Sequence, residues 1–166
     1  MTAHPPIAEA LTGNEVMLNI IYVVGAILIE ENHSHGSTGG SNVILARRAS
    51  LLKNYPDLFE FPGGKIESNE SPKQALIREL SEELKITVKE SNITSFKDNT
   101  HQTKLENSDT VIHLTLFIVT NWEGILTINP QVHSEIVSVP IQSLDKFKGL
   151  IPGDAMFIPL IQDALT

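Results

Sequence analysis

The stretch from Phe61 to Ile86 reads FPGGKIESNESPKQALIRELSEELKI and joins a glycine-rich loop to an amphipathic helix. Ser71 suits the N-cap, Pro72 the first helical position, and Gln74 completes a Ser-x-x-Gln capping box, so the helix is predicted to start at Pro72. Glu79, Glu82 and Glu83 follow at i, i+3, i+4 and project from one side. Leu76, Ile77, Leu80 and Leu84 occupy the adjoining side and can bury against a sheet. Three like charges on one turn repel each other, which calls for a cation beside them. Carboxylate oxygens, completed by water and phosphate oxygens, suit Mg²⁺. Pro62-Gly63-Gly64 lets backbone approach the same point without a side chain in the way, which makes the Gly63 carbonyl a candidate ligand.

With 166 residues and 41% hydrophobic content, the chain can bury one core, and a single domain over residues 17–166 is expected behind a tail of 1–16. A formal net charge of −8 argues against a nucleic-acid polymer as partner, because its phosphates demand a basic surface. A small polyphosphate remains compatible if divalent metal neutralises it locally. There is no cysteine, which excludes disulfides and thiol chemistry. The apolar run from Ile20 to Ile29 is too short to span a bilayer. MTAHPPIAEALTGNE shows no secretory pattern, so no membrane partner and a cytoplasmic location are expected.

Met17 to Glu30 and Val43 to Ala46 read as strands joined by a flexible connection over 31–42, in which His33 and His35 read as solvated rather than as a metal pair. Arg47 and Arg48 close the second strand on opposite faces, so one of them can turn its planar fork on a phosphate or a base edge. Phe61 either stacks on a base or packs under the loop. His101 to Asp109 reads as a polar hairpin loop near the substrate mouth, and Thr110 to Asn121 as a strand holding His113 as a hydrogen-bonded core residue. Another strand is expected over Ile136 to Val139, a short helix over Ile141 to Phe147, and a closing helix over Ala155 to Leu165. Asp154 stands where that last helix starts, as an N-cap would.

The spacing Gly64, five residues, Glu70, seven residues, Arg78-Glu79-Leu80-x-Glu82-Glu83-x-x-Ile86 resembles the Nudix box. With Phe61-Pro62-Gly63-Gly64-Lys65-Ile66-Glu67 in front, it looks most like the MutT-type branch. The resemblance implies a Nudix-type α/β/α sandwich with a mixed sheet, and a nucleoside triphosphate pyrophosphatase acting on an oxidised purine such as 8-oxo-dGTP in nucleotide-pool sanitation. It implies Mg²⁺, or Mn²⁺, held by Glu82, Glu83 and the Gly63 carbonyl, with Glu79 as a further ligand or the base that activates water. Arg78 would orient Glu79 and share Glu70. Arg48 would face the substrate, Lys65 would touch phosphate or remain a loop residue, and Asp154 would read the base edge. Alternatives are another nucleotide, CTP-like or a dinucleotide, and a Nudix-like binding module that has lost hydrolysis. The intact Arg78, Glu79, Glu82 and Glu83 count against that last reading.

Three positions depart from the pattern. Lys85 stands where the family usually has a Gly that ends the helix in a left-handed conformation, at a cost of roughly 1 kcal/mol if Lys85 adopts it. Thr110 stands near where relatives that bind an oxidised purine carry an Arg. The common Glu-His pair is Val132-His133 here, so Glu135 is the nearest acidic group left for an additional catalytic carboxylate.

Overall fold

The computed structural model describes residues 17–31 and 40–166. The expected tail 1–16 and most of the 31–42 connection, with His33 and His35, lie outside the described residues. Among the described residues, eight strands form one mixed sheet: β1 (Asn19–Glu31), β2 (Ser41–Arg48), β3 (Phe59–Glu60), β4 (Gly63–Lys65), β5 (Ile93–Thr94), β6 (Thr100–Lys104), β7 (Thr110–Val119) and β8 (His133–Pro140). The helices are α1 (Pro72–Leu84), α2 (Pro152–Ala155) and α3 (Ile158–Leu165), with 3₁₀ turns at Glu90–Asn92 and Ile141–Lys146.

β1 is the spine. One edge runs parallel to β7 from Asn19↔Thr110 to Leu28↔Val119. The other edge is shared, with β4 opposite Val23 to Gly25 and β2 opposite Leu28 to Glu31. At the fork, Ala26 N–H donates to the Pro62 carbonyl at 2.8 Å. This seats the Gly63-Gly64 pair against the sheet: a Cβ on Gly63 would collide with the Val24 carbonyl.

Strand alternation splits the core in two. Val24, Ala26 and Leu28 face α1 through Leu76, Leu80 and Leu84, all fully buried. Ile27 and Ile29 face the opposite layer, Ile141, Leu144, Phe157 and Ile161. Each such aliphatic side chain contributes about 1.5–3 kcal/mol on leaving water. The result is the α/β/α sandwich the sequence implies.

α1 begins at Pro72 with its capping box made: Gln74 N–H donates to Ser71 Oγ at 3.2 Å, and Ser71 N–H to Gln74 Oε1 at 2.8 Å. It ends with Lys85 left-handed at φ 58°, ψ 28°, so this chain keeps the geometry that glycine would adopt without strain.

Several expectations are corrected. Residues 100–104 are a strand rather than part of a loop, because Thr100 to Lys104 pair with β7; only the following turn is irregular. Ile86 to Val88 alternate as a strand segment would, yet they form none beyond a bridge from Thr87 to Glu123. His113 is hydrogen-bonded, to Gln102 at 3.0 Å, but lies only half-buried beside Tyr22. The closing helix is broken between Ala155 and Ile158, since Pro159 has no N–H to donate and its ring clashes with the carbonyl four residues back. Asp154 therefore sits inside the one-turn α2, and its side chain caps no helix.

Lys85→Gly is expected to raise stability by about 1 kcal/mol and Ser71→Ala to lower it by about the same amount, read as opposite shifts of the urea midpoint.

Candidate active site

Arg78 is the hub of the acidic face of α1. Its guanidinium lies 2.6 Å from Glu70 Oε1, 2.8 Å from Glu79 Oε1, 3.5 Å from Glu82 Oε2 and 3.9 Å from Glu67 Oε1. Nη2 also donates to the Lys65 carbonyl at 2.9 Å, tying the helix to the glycine loop. The hydrogen bond to Glu70 comes first among the causes that hold Arg78 firmly charged. Glu82 remains open, its side chain 59% exposed.

Glu83 turns inward. It is buried, and its Oε2 accepts the Gly63 N–H at 3.2 Å. Burial, then the charges of Glu60 and Glu79, push its carboxyl up to about 9. Burial also raises Glu79, against the pull of Arg78.

Beyond the glycine pair a cavity of about 290 Å³ opens, lined by Arg48, Phe61, Gly63, Lys65 and Asp154 among others. Its apolar wall comes from β7 and the turn after β6, through Leu105, Ile112 and Leu114. Phe61 is buried, and its backbone N–H donates to Asp154 Oδ2 at 2.7 Å across 93 positions of sequence. Asp154 Oδ1 has no hydrogen-bond partner among the described residues. Burial, then Glu60, raise the Asp154 carboxyl well above its ordinary range. Arg48, not Arg47, faces this space. Arg47 instead stacks on Phe59, 5.3 Å from the ring centroid, and meets Glu135 at 3.5 Å.

Glu135 is not brought to the cavity. The register between β2 and β8 slips between Arg47 and Arg48, so Glu135 lies opposite Arg47 and His133 opposite Arg48. That places Glu135 with Arg47 in solvent and His133 in the interior. A second buried carboxylate of the cavity wall, besides Asp154, is Glu60, which pairs with Arg48 at 2.7 Å and with His133 at 3.0 Å. The sequence offers one cue to it: a lone acid between two phenylalanines in Phe59-Glu60-Phe61, immediately before the glycine loop.

Among the described residues, no three acidic or histidine side chains stand close enough to form a closed cation cage. The donor set still fits a hard divalent cation that keeps water and phosphate in its shell. Glu83 is buried against two further carboxylates, and a Cβ on Gly64 would fill the space next to the Glu79 carboxylate. An electron-poor oxygen-binding ion relieves that crowding of like charge.

The NUDIX domain model matches residues 21–161. The chain belongs to the Nudix family. Within it, the chain is 41% identical over 87 residues to an 8-oxo-dGTP diphosphatase of Proteus vulgaris, covering 52% of this chain and 71% of that protein. It is 37% identical over 86 residues to the Escherichia coli 8-oxo-dGTP diphosphatase, covering 51% and 60%. It is 31% identical over 145 residues to the Escherichia coli CTP pyrophosphohydrolase, covering 87% and 91%. Among solved structures, the E. coli ORF135 protein matches with a TM-score of 0.66 at 29% identity, over 89% of this chain and 91% of that one. A MutT protein from Methanosarcina mazei shares the Nudix fold at a TM-score of 0.70 and 18% identity, over 89% and 96%. No helix among the described residues is long and apolar enough to cross a membrane.

Glu79, Glu83 and Asp154 all bind a proton more tightly folded than unfolded. Their contribution to stability is therefore fully present below the unfolded carboxyl range and lost as pH rises through the folded one. In chelator, Tm is expected to fall between about pH 4.5 and about pH 9, and Glu83→Gln to flatten that fall.

Proposed function

We propose that this Nudix hydrolase, which cleaves phosphoanhydride bonds, acts on nucleoside triphosphates, with 8-oxo-dGTP foremost, to release a monophosphate and pyrophosphate. One observation carries the reading. A single cavity is bounded on one side by the glycine pair packed on the acidic helix, and on the other by Arg48, Phe61 and Asp154. Such a space accepts a ligand with an anionic end and a planar end bearing hydrogen-bonding edges.

Glu79, Glu82 and Glu83 with the Gly63 carbonyl would hold Mg²⁺, or Mn²⁺ in its place, and a divalent cation so held supplies neutralisation of polyphosphate charge and acidifies water. Glu79, oriented by Arg78, takes the proton of the attacking water; a carboxyl raised by burial is a better base than a solvated one. Water oxygen bonds to phosphorus as the bridging P–O bond breaks, and the leaving phosphate keeps that electron pair. Arg48 offers its guanidinium to the substrate, and Lys65 at the cavity rim adds a second cation for phosphate. Asp154, whose burial favours the neutral carboxyl, would offer its remaining oxygen to the base edge. Phe61, packed in the cavity wall, supplies an aromatic surface beside the base.

CTP is the second reading. It is favoured by the extent of the match to the CTP pyrophosphohydrolase, which spans most of both chains, whereas the matches to the diphosphatases span about half of this one.

Glu82→Gln, at an exposed position, is expected to lower kcat by about two to three orders of magnitude with an unchanged Tm. Chelation of divalent ions should abolish turnover of the wild type. Asp154→Ala is expected to change the ranking of 8-oxo-dGTP, dGTP and CTP by kcat/KM; an unchanged ranking sinks the base-reading role.

A further inference from the structure

β8 opens with His133, whose side chain is wholly buried. Its Nε2 stands 3.0 Å from Glu60 Oε1, while Glu60 Oε2 accepts Arg48 Nη1 at 2.7 Å. Both carboxylate oxygens of β3 are thus engaged, one by β8 and one by β2, and the carboxylate plane is fixed. Arg48 is held a second time by Nε, which donates to the Asn54 carbonyl at 2.9 Å. Its Nη2 has no hydrogen-bond partner among the described residues, and the residue lines the cavity. The guanidinium is thus held at Nε and at Nη1, on two of its sides, and Nη2 is the nitrogen left for a ligand.

His133 Nδ1 is buried without a partner. A carboxylate only accepts, so Nε2 carries the proton of a neutral ring, and Nδ1 is left with a lone pair, a cheaper orphan than a buried N–H. An apolar side chain of similar size would fill this place without any orphan atom. Packing alone therefore gives no reason for a histidine here, and its one polar contact does.

We propose that His133 is a positioning residue: by donating Nε2–H to Glu60 it fixes that carboxylate and so holds Arg48 in the cavity wall with Nη2 left to meet the substrate. The consequence for substrate rests on the nucleotide reading above; the clamp itself does not. Loss of the donor frees Glu60 to rotate and lets the guanidinium leave the cavity wall.

His133→Leu removes the donor, and His133→Gln keeps an N–H able to reach Glu60. With the best nucleotide, His133→Leu is expected to raise KM roughly tenfold with kcat little changed, and His133→Gln to recover most of the loss. In an Arg48→Ala background, His133→Leu should add nothing, because both act on one contact. A readout free of substrate accompanies this: the Arg48 Nε–H resonance of ¹⁵N-labelled protein stays sharp in wild type and His133→Gln and broadens in His133→Leu. The proposal is overturned if that resonance stays sharp in His133→Leu, if both variants depress kcat and Tm alike, or if the loss adds to that of Arg48→Ala. Should wild type turn over no nucleotide, the substrate reading falls and the Arg48 resonance alone decides the clamp. If His133→Leu does not fold, His133→Met removes the donor at closer volume and is expected to give the same readings.

Discussion

The Arg78 guanidinium is the interaction on which the site depends. One turn of α1 concentrates Glu79, Glu82 and Glu83, and repulsion among them would fray the helix or splay the side chains. A single planar cation beside Glu67, Glu70, Glu79 and Glu82 offsets that repulsion, and its bond to the Lys65 carbonyl uses the same group to hold the glycine loop in place. Arg suits this better than Lys, because five donors in a rigid fork can serve several acceptors at once. Glu83 stands outside that network and is left with a burial penalty, which is the condition under which a further cation binds favourably.

The fork in β1 sets where this charge meets the cavity. Because β4 and β2 divide one edge of β1 between them, the chain meets that edge at Pro62, whose carbonyl accepts the Ala26 N–H. Backbone thereby reaches the carboxylates of α1 from one side while Phe61 stays anchored in the opposite core. The two hydrophobic layers are thus tied together at the point where the proposed chemistry occurs, and a shift of either layer moves the glycine pair.

Much of the local structure was legible in the sequence, because it is governed by neighbours. Ser71, Pro72 and Gln74 specify their helix start within four residues, and the β-branched runs of β1 and β7 carry their own signal. Alternation put Arg47 and Arg48 on opposite faces without saying which one lines the cavity; in the structure it is Arg48. What escaped was set by register across distant strands. Alternation in a strand is readable, but the slip between Arg47 and Arg48 is not, and it exchanges the surroundings of Glu135 and His133. The Glu60–His133 contact joins positions 73 apart and the Phe61–Asp154 bond joins positions 93 apart, separations that no periodicity encodes. The break at Pro159 was visible as a residue, yet the closing segment still read as one continuous helix.

Asp154 comes from a single turn of helix, and its side chain meets the rest of the cavity through one backbone amide, that of Phe61. The acids of α1 belong to a separate layer with its own apolar support. Replacement of the Asp154 side chain alone can therefore redraw the far wall while the backbone ties of Phe59 to Gly149 and Ile151 stay in place. This partition gives the scaffold a route by which ligand preference drifts while bond cleavage is retained.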